Sequence, residues 1–211
     1  MLSCPLQDDT VKNMVLKYMS NKIKGIQAVV IGASTGGPNA LAYIISRLTK
    51  DLNIPIFIVQ HMPRGFTTSF AARLDKESQV NVVEAEDKMK IEKGVVYLAP
   101  GDFHMTIDRN KIRLNSEDKL FGVRPAVDYL FKTAAEVYGG NLLGIILTGM
   151  GRDGTDGMHT IKANGGYNIV QNEESCVVYG MPGNAVAKGV VDSIMSLDEI
   201  SKTLNGLTKV K

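Results

Sequence analysis

Three loops in this 211-residue chain carry residue types that together perform acyl transfer. Ser34 stands in Gly32-Ala33-Ser34-Thr35-Gly36-Gly37-Pro38, His61 in Gln60-His61-Met62-Pro63, and Asp153 in Thr148-Gly149-Met150-Gly151-Arg152-Asp153-Gly154. A serine hydroxyl is a weak nucleophile until a base within hydrogen-bond reach takes its proton. Histidine titrates near neutral pH, so it can take that proton and return it to a leaving group. A carboxylate behind the ring fixes the tautomer and stabilises the imidazolium. Glycine-rich turns leave backbone N–H groups facing a developing oxyanion. Each residue has a plainer reading as well. The Ser34 loop can cap a helix or cradle a phosphate, His61 can be a satisfied, partly buried histidine, and Asp153 can cap the helix that follows it. His104 and His159 are weaker candidates, one in a hairpin and one on a helix.

What favours the joint reading is where the loops fall. Apolar, β-rich runs at Ile26–Ile31, Ile54–Gln60, Val80–Glu84, Val95–Ala99 and Leu142–Thr148 alternate with helical stretches. Those stretches are Pro38–Leu48, Thr67–Leu74, Pro125–Tyr138 and Thr155–Ala163, with a last helix near Leu197–Leu207. Continuously apolar strands joined by helices predict an α/β fold: a doubly wound, mainly parallel sheet with helices on both faces. Phe103–Asp108 and Lys111–Asn115, joined by Arg109-Asn110, predict a small antiparallel hairpin. Ligands bind outside the carboxyl ends of such strands. The serine, histidine and aspartate each follow a strand, so all three open on one side of the sheet.

Competing motifs fit less well. Gly32-Ala33-Ser34-Thr35-Gly36 matches the nucleophile elbow of α/β-hydrolases, whose triad runs serine, acid, histidine rather than the order here. A dinucleotide site needs a fuller glycine fingerprint and an acid closing the second strand, which closes with Gln60-His61. Asp153-Gly154-Thr155-Asp156-Gly157 lacks the ligand spacing of a calcium loop. No metal and no organic cofactor is expected. Net charge is +2, and residues 1–25 hold four lysines against two aspartates, leaving 20 basic and 20 acidic residues in the rest. A nucleic-acid binder concentrates positive charge on its folded part, so no nucleic-acid partner is expected. The apolar runs are too short to cross a bilayer. Two cysteines, Cys4 and Cys176, make no disulfide framework, and a cytoplasmic location is expected. Residues 1–25 are read as an amphipathic N-terminal helix or linker, with Val11, Met14, Val15, Tyr18 and Met19 at helical spacing. Residues 26–211 are read as one domain.

Further segments carry a family resemblance. Ile31–Pro38, Val59–Pro63, Leu98–Met105, Arg124-Pro125, Leu147–Gly154 and Tyr179–Pro182 follow one another over roughly residues 26–206. Together they resemble the catalytic domain of chemotaxis protein-glutamate methylesterases, the CheB family. The resemblance implies a parallel α/β sheet and a triad of Ser34, His61 and Asp153. It implies a substrate as well, the methyl-esterified glutamate side chain on cytoplasmic helices of a methyl-accepting chemoreceptor, hydrolysed with release of methanol. Some relatives also deamidate receptor glutamine. The backbone N–H of Met150 falls where the family places an oxyanion donor, and Thr35, Gly151 and His104 are expected near the oxyanion or the substrate. Most members carry an N-terminal receiver domain that restrains the esterase. Twenty-five residues are too few for one, so no receiver domain is expected within this chain, and control would come from a receiver domain or another regulator as a partner. The family's usual Arg-Pro-Ser is Arg124-Pro125-Ala126 in this chain.

Overall fold

Ala28–Ala33 is buried from its first residue to its last, as a strand covered on both faces must be. Alternate side chains go to opposite sides, because successive residues of a strand point to opposite faces. The computed structural model describes residues 25–207. Its main sheet has seven strands: β1 (Ala28–Ala33), β2 (Ile56–Gln60), β3 (Asn81–Glu84), β4 (Val95–Leu98), β7 (Leu142–Ile146), β8 (Tyr167–Gln171) and β9 (Ser193–Met195). They lie in the order β3-β4-β2-β1-β7-β8-β9, with every pairing parallel. A separate antiparallel pair, β5 (His104–Asp108) and β6 (Lys111–Asn115), forms the expected hairpin.

Six helices cover the sheet: α1 (Gly37–Ile45), α2 (Phe66–Glu77), α3 (Val127–Tyr138), α4 (Thr155–Ala163), α5 (Gly180–Ala187) and α6 (Leu197–Leu207). Val29, Ile31 and Ala33 pack with Leu41 and Ile44 of α1, Leu74 of α2 and Ile200 and Leu204 of α6. Ala28 and Val30 pack on the other side with Leu130 and Phe131 of α3, Met158 of α4 and Met181 of α5. The fold is therefore the doubly wound α/β sheet with a hairpin that the sequence pattern predicts. Burying one such aliphatic side chain is worth about 1.5–3 kcal/mol, so the two faces together hold the strand ends in fixed register.

From β1 the chain moves to β2 on one side, and from β7 it moves to β8 on the other. That reversal opens a crevice between the carboxyl ends of β1 and β7, the place where open α/β sheets bind ligands. Three elements go unnoticed in the pattern. In β8, Tyr167-Asn168-Ile169-Val170-Gln171, two amides interrupt the apolar run. They are buried because they are bonded: Asn168 Nδ2 donates to the carbonyls of Met158 and Val190. In α5, Gly180, Pro182 and Gly183 hide the helix. The third, β9, has only three residues. The amphipathic helix expected over residues 1–25 lies outside the described residues, apart from Gly25. Among the described residues, no helix is long and apolar enough to cross a membrane.

Candidate active site

Register brings the three loops together. Ala33 of β1 pairs with Gln60 of β2, so Ser34 and His61 are the next residues on neighbouring strands. The N–H of His61 donates to the Ala33 carbonyl at 3.0 Å, carrying the pairing one step further. On the other side, the Ser34 N–H donates to the Thr148 carbonyl at 3.0 Å. Parallel strands lie about 4.8 Å apart, so a side chain on one can reach the next. Ser34 thus sits between the loop of His61 and the loop that leads to Asp153. Gly149 permits the close approach, since a Cβ there would come within 2.8 Å of the Ser34 Cβ.

The aspartate and histidine meet directly. His61 Nε2 and Asp153 Oδ2 are 2.8 Å apart. Asp153 is buried, and its other bonds explain how an acid is kept there. Oδ2 also accepts the Val127 N–H at 2.6 Å, and Oδ1 accepts the Asp128 N–H at 3.0 Å. These are first-turn amides of α3, which have no partner inside the helix. The positive end of the helix dipole favours a carboxylate at that position. An ionised acid on Nε2 requires that nitrogen to carry the proton, which leaves Nδ1 as the basic nitrogen. Among the described residues Ser34 Oγ makes no hydrogen bond of its own.

The remaining expected residues divide. Thr35 is exposed beside Ser34, and its carbonyl accepts from Thr148 Oγ1 at 2.9 Å. Met150 is 69% exposed on the facing loop, and Gly151 follows it with φ +87°. The N–H groups of Thr35 and Met150 have no acceptor among the described residues. His104 stands apart from this group. It is fully buried and stacked on Tyr129 with ring centroids 3.9 Å apart. Its Nδ1 accepts the Ala126 N–H at 3.1 Å, so Nε2 donates to the Asp118 carbonyl at 3.1 Å. Both nitrogens are spent inside the fold, and neither is offered to a substrate. Burial holds its pKa below the usual histidine value. His159 is exposed on α4.

Beside His61 a cleft of about 310 Å³ is lined by Met62, Asp102, Lys119, Val123 and Pro125. The Arg152 guanidinium lies 4.7 Å from the centre of the Phe121 ring. A larger cavity of about 570 Å³, near Asn53, Lys93, Arg109 and Tyr138, lies at the opposite end of the strands. Size does not make it the site: none of the residues that could do acyl transfer lines it. Among the described residues no cluster of three or more His, Cys, Asp or Glu side chains is placed to hold a metal.

The residues from 29 to 204 match the family model described as CheB methylesterase. The chain belongs to that family. A protein-glutamate methylesterase/protein-glutamine glutaminase of Clostridium acetobutylicum is 48% identical, over 93% of this chain and 59% of its own length. One of the same name from Pyrococcus horikoshii is 46% identical, over 84% of this chain and 49% of its own length. The chain thus spans about half the length of the curated relatives it matches. The crystal structure of the Thermotoga maritima CheB methylesterase catalytic domain superposes with a TM-score of 0.83 at 45% identity, covering 86% of this chain and 98% of that one. The CheB fold is therefore shared.

Reading by residue type alone passes over several side chains around this CheB site. Asp128, buried one residue into α3, accepts the Gly157 N–H through Oδ1 at 2.6 Å, while its Oδ2 has no hydrogen-bond partner among the described residues. Burial, and then the Asp153 carboxylate beside it, raises its pKa to about 6. Thr148 takes the N–H groups of Val177 and Val178 on its hydroxyl at 3.1 and 3.0 Å, pinning the 177–178 segment to the site. The one signal in the sequence is a polar residue closing or following an apolar run, as in Gln60, Thr148 and Gln171.

Proposed function

We propose that this chain hydrolyses methyl esters of glutamate side chains, with Ser34 as nucleophile, His61 as base and Asp153 as the group that orients it. The observation that carries the reading is Asp153, gripped by two α3 amides and aimed at His61 Nε2 one strand away from Ser34. In the proposed sequence, Ser34 Oγ bonds to the ester carbonyl carbon and its proton passes to His61 Nδ1. The N–H groups of Met150 and Thr35 hold the oxyanion. When the tetrahedral adduct collapses, methoxide leaves with the proton from His61 as methanol. Water, deprotonated by the same nitrogen, then attacks the acyl-serine and releases the glutamate carboxylate. A glutamine side chain takes the same route, with ammonia as the leaving group.

The proposed protein substrate is the cytoplasmic helical part of a methyl-accepting chemoreceptor, as the resemblance of the loops implies, and the names of the relatives support a glutamate methyl ester or a glutamine amide as the group acted on. We take residues 26–211 as the catalytic unit, cytoplasmic and without membrane insertion. The test is methanol release from methyl-labelled receptor by the wild type and by Ser34→Ala. Release by the wild type and a loss of about 10⁴-fold or more in the variant is expected. Equal release from both sinks the nucleophile assignment, and no release from the wild type sinks the reading as a whole.

A further inference from the structure

Gln60 is the last residue of β2 and only 2% exposed. A buried amide at the end of an apolar strand is costly unless it is bonded, and its bonds have a definite direction. Nε2 donates to the Ser34 carbonyl at 3.0 Å and to the His61 carbonyl at 3.1 Å. One side chain thus ties the backbone of the proposed nucleophile to that of the proposed base. The Ser34 carbonyl also accepts the Gly37 N–H at 2.8 Å, and the Ser34 N–H is held by Thr148. Both backbone groups of Ser34 are fixed, and only its side chain is free. Among the described residues Gln60 Oε1 has no hydrogen-bond partner, and it lies against Gly37, where a Cβ would come within 2.0 Å of it. The amide therefore fills its space in one orientation, with the donors turned to the two carbonyls.

A second glutamine does the same on the other side of the crevice. Gln171, the last residue of β8, is fully buried. Its Oε1 accepts the Thr148 N–H at 2.8 Å, and its Nε2 donates to the Ser175 carbonyl at 2.7 Å. In the order β2-β1-β7-β8, each outer strand braces the loop of its inner neighbour.

We propose that Gln60 is a positioning residue that sets Ser34 against His61, with Gln171 as its counterpart behind the Thr148–Met150 loop. The proposal rests on the hydrolase reading above. Gln60 does not line the cleft, so it has no contact through which to bind substrate. Leucine keeps the bulk but cannot donate, and glutamate would set a third oxygen against two carbonyl oxygens. A misplacement of about 1 Å in such a site costs about 10²-fold in rate.

Gln60→Leu, Gln60→Met and Gln60→Glu are compared with wild type for kcat, KM and the pH midpoint of methanol release, well below each melting temperature. Expected is a fall of about 10²-fold in kcat, with KM within about twofold and the pH midpoint unmoved. Gln171→Leu should fall by about tenfold, because it acts on Ser34 only through Thr148. A kcat within about threefold of wild type in any folded Gln60 variant overturns the proposal. So does a loss confined to KM, a displaced pH midpoint, or failure of all three to fold at any temperature, which would give Gln60 a folding role alone. A wild type that neither releases methanol nor is labelled at Ser34 by a serine-directed acylating reagent would instead sink the hydrolase reading.

Discussion

His61 and His104 are the same residue type in two neighbouring regions, and the start of α3 joins them. Three consecutive backbone N–H groups point out of that helix end. The N–H of Ala126 goes to His104 Nδ1, and those of Val127 and Asp128 go to the Asp153 carboxylate. Asp153 then reaches His61. In one region a histidine is the acceptor that ends a network, stacked on Tyr129 and closed to water. In the other a histidine is held through one nitrogen and keeps the second free at a crevice. What a histidine does is decided by who occupies its two nitrogens, not by its own chemistry.

Asp153→Ala would break the comparison most severely, because that carboxylate serves both regions. Activity on methylated receptor should fall by about 10⁴-fold as the ring loses its orienting acid. Uncapping two α3 amides should also cost about 1–2 kcal/mol in urea unfolding. A variant that loses activity with unchanged stability would show that α3 does not depend on this cap.

His104→Ala should do the reverse. A cavity and an unpaired Ala126 N–H in the interior should cost about 3–4 kcal/mol of stability, while kcat of the folded protein falls by no more than about tenfold. Burial lowers the pKa of His104 in the fold, so the unfolded chain binds the proton first as pH drops. As pH falls below about 6.5, wild type should therefore lose stability relative to the variant. A loss of activity matching that of Asp153→Ala, at full folding, would place His104 in the chemistry after all.

Asp128→Asn probes the smallest difference between the regions. The Asp128 carboxyl releases its proton near pH 3.8 when unfolded but only near about 6 in the fold. Ionisation therefore favours the unfolded chain, and stability is lost as pH rises through that window. The loss amounts to about 3 kcal/mol at most above pH 6. In urea titrations at pH 4 and pH 7, the change in stability from pH 4 to pH 7 should be less favourable in wild type than in the variant by up to about 3 kcal/mol. Identical pH slopes would mean that Asp128 does not stay protonated beside Asp153.

Residue types and spacing by themselves determined the layout of this protein. Ile54–Gln60 and Leu142–Thr148 are apolar because strands covered on both faces must be, and the helices between them follow. That pattern sends Ser34, His61 and Asp153 to one end of the sheet without any knowledge of contacts. Motifs such as Leu147–Gly154 carried the family resemblance, because loops at strand ends leave continuous stretches of sequence. Only the tertiary structure decided which partner each polar group takes. His104, a weaker candidate from its place in the hairpin, has both nitrogens filled by Ala126 and Asp118, 22 and 14 residues away along the chain. Gln60, Gln171 and Asp128 look ordinary in the sequence, since each has a decisive bond to a distant backbone group, at Ser34, Thr148 and Gly157, 26, 23 and 29 residues away. A backbone N–H or carbonyl has the same chemistry at every position, so sequence cannot say which one a buried amide or acid will meet. Packing settles that, because burial leaves each such group only the partner within its reach.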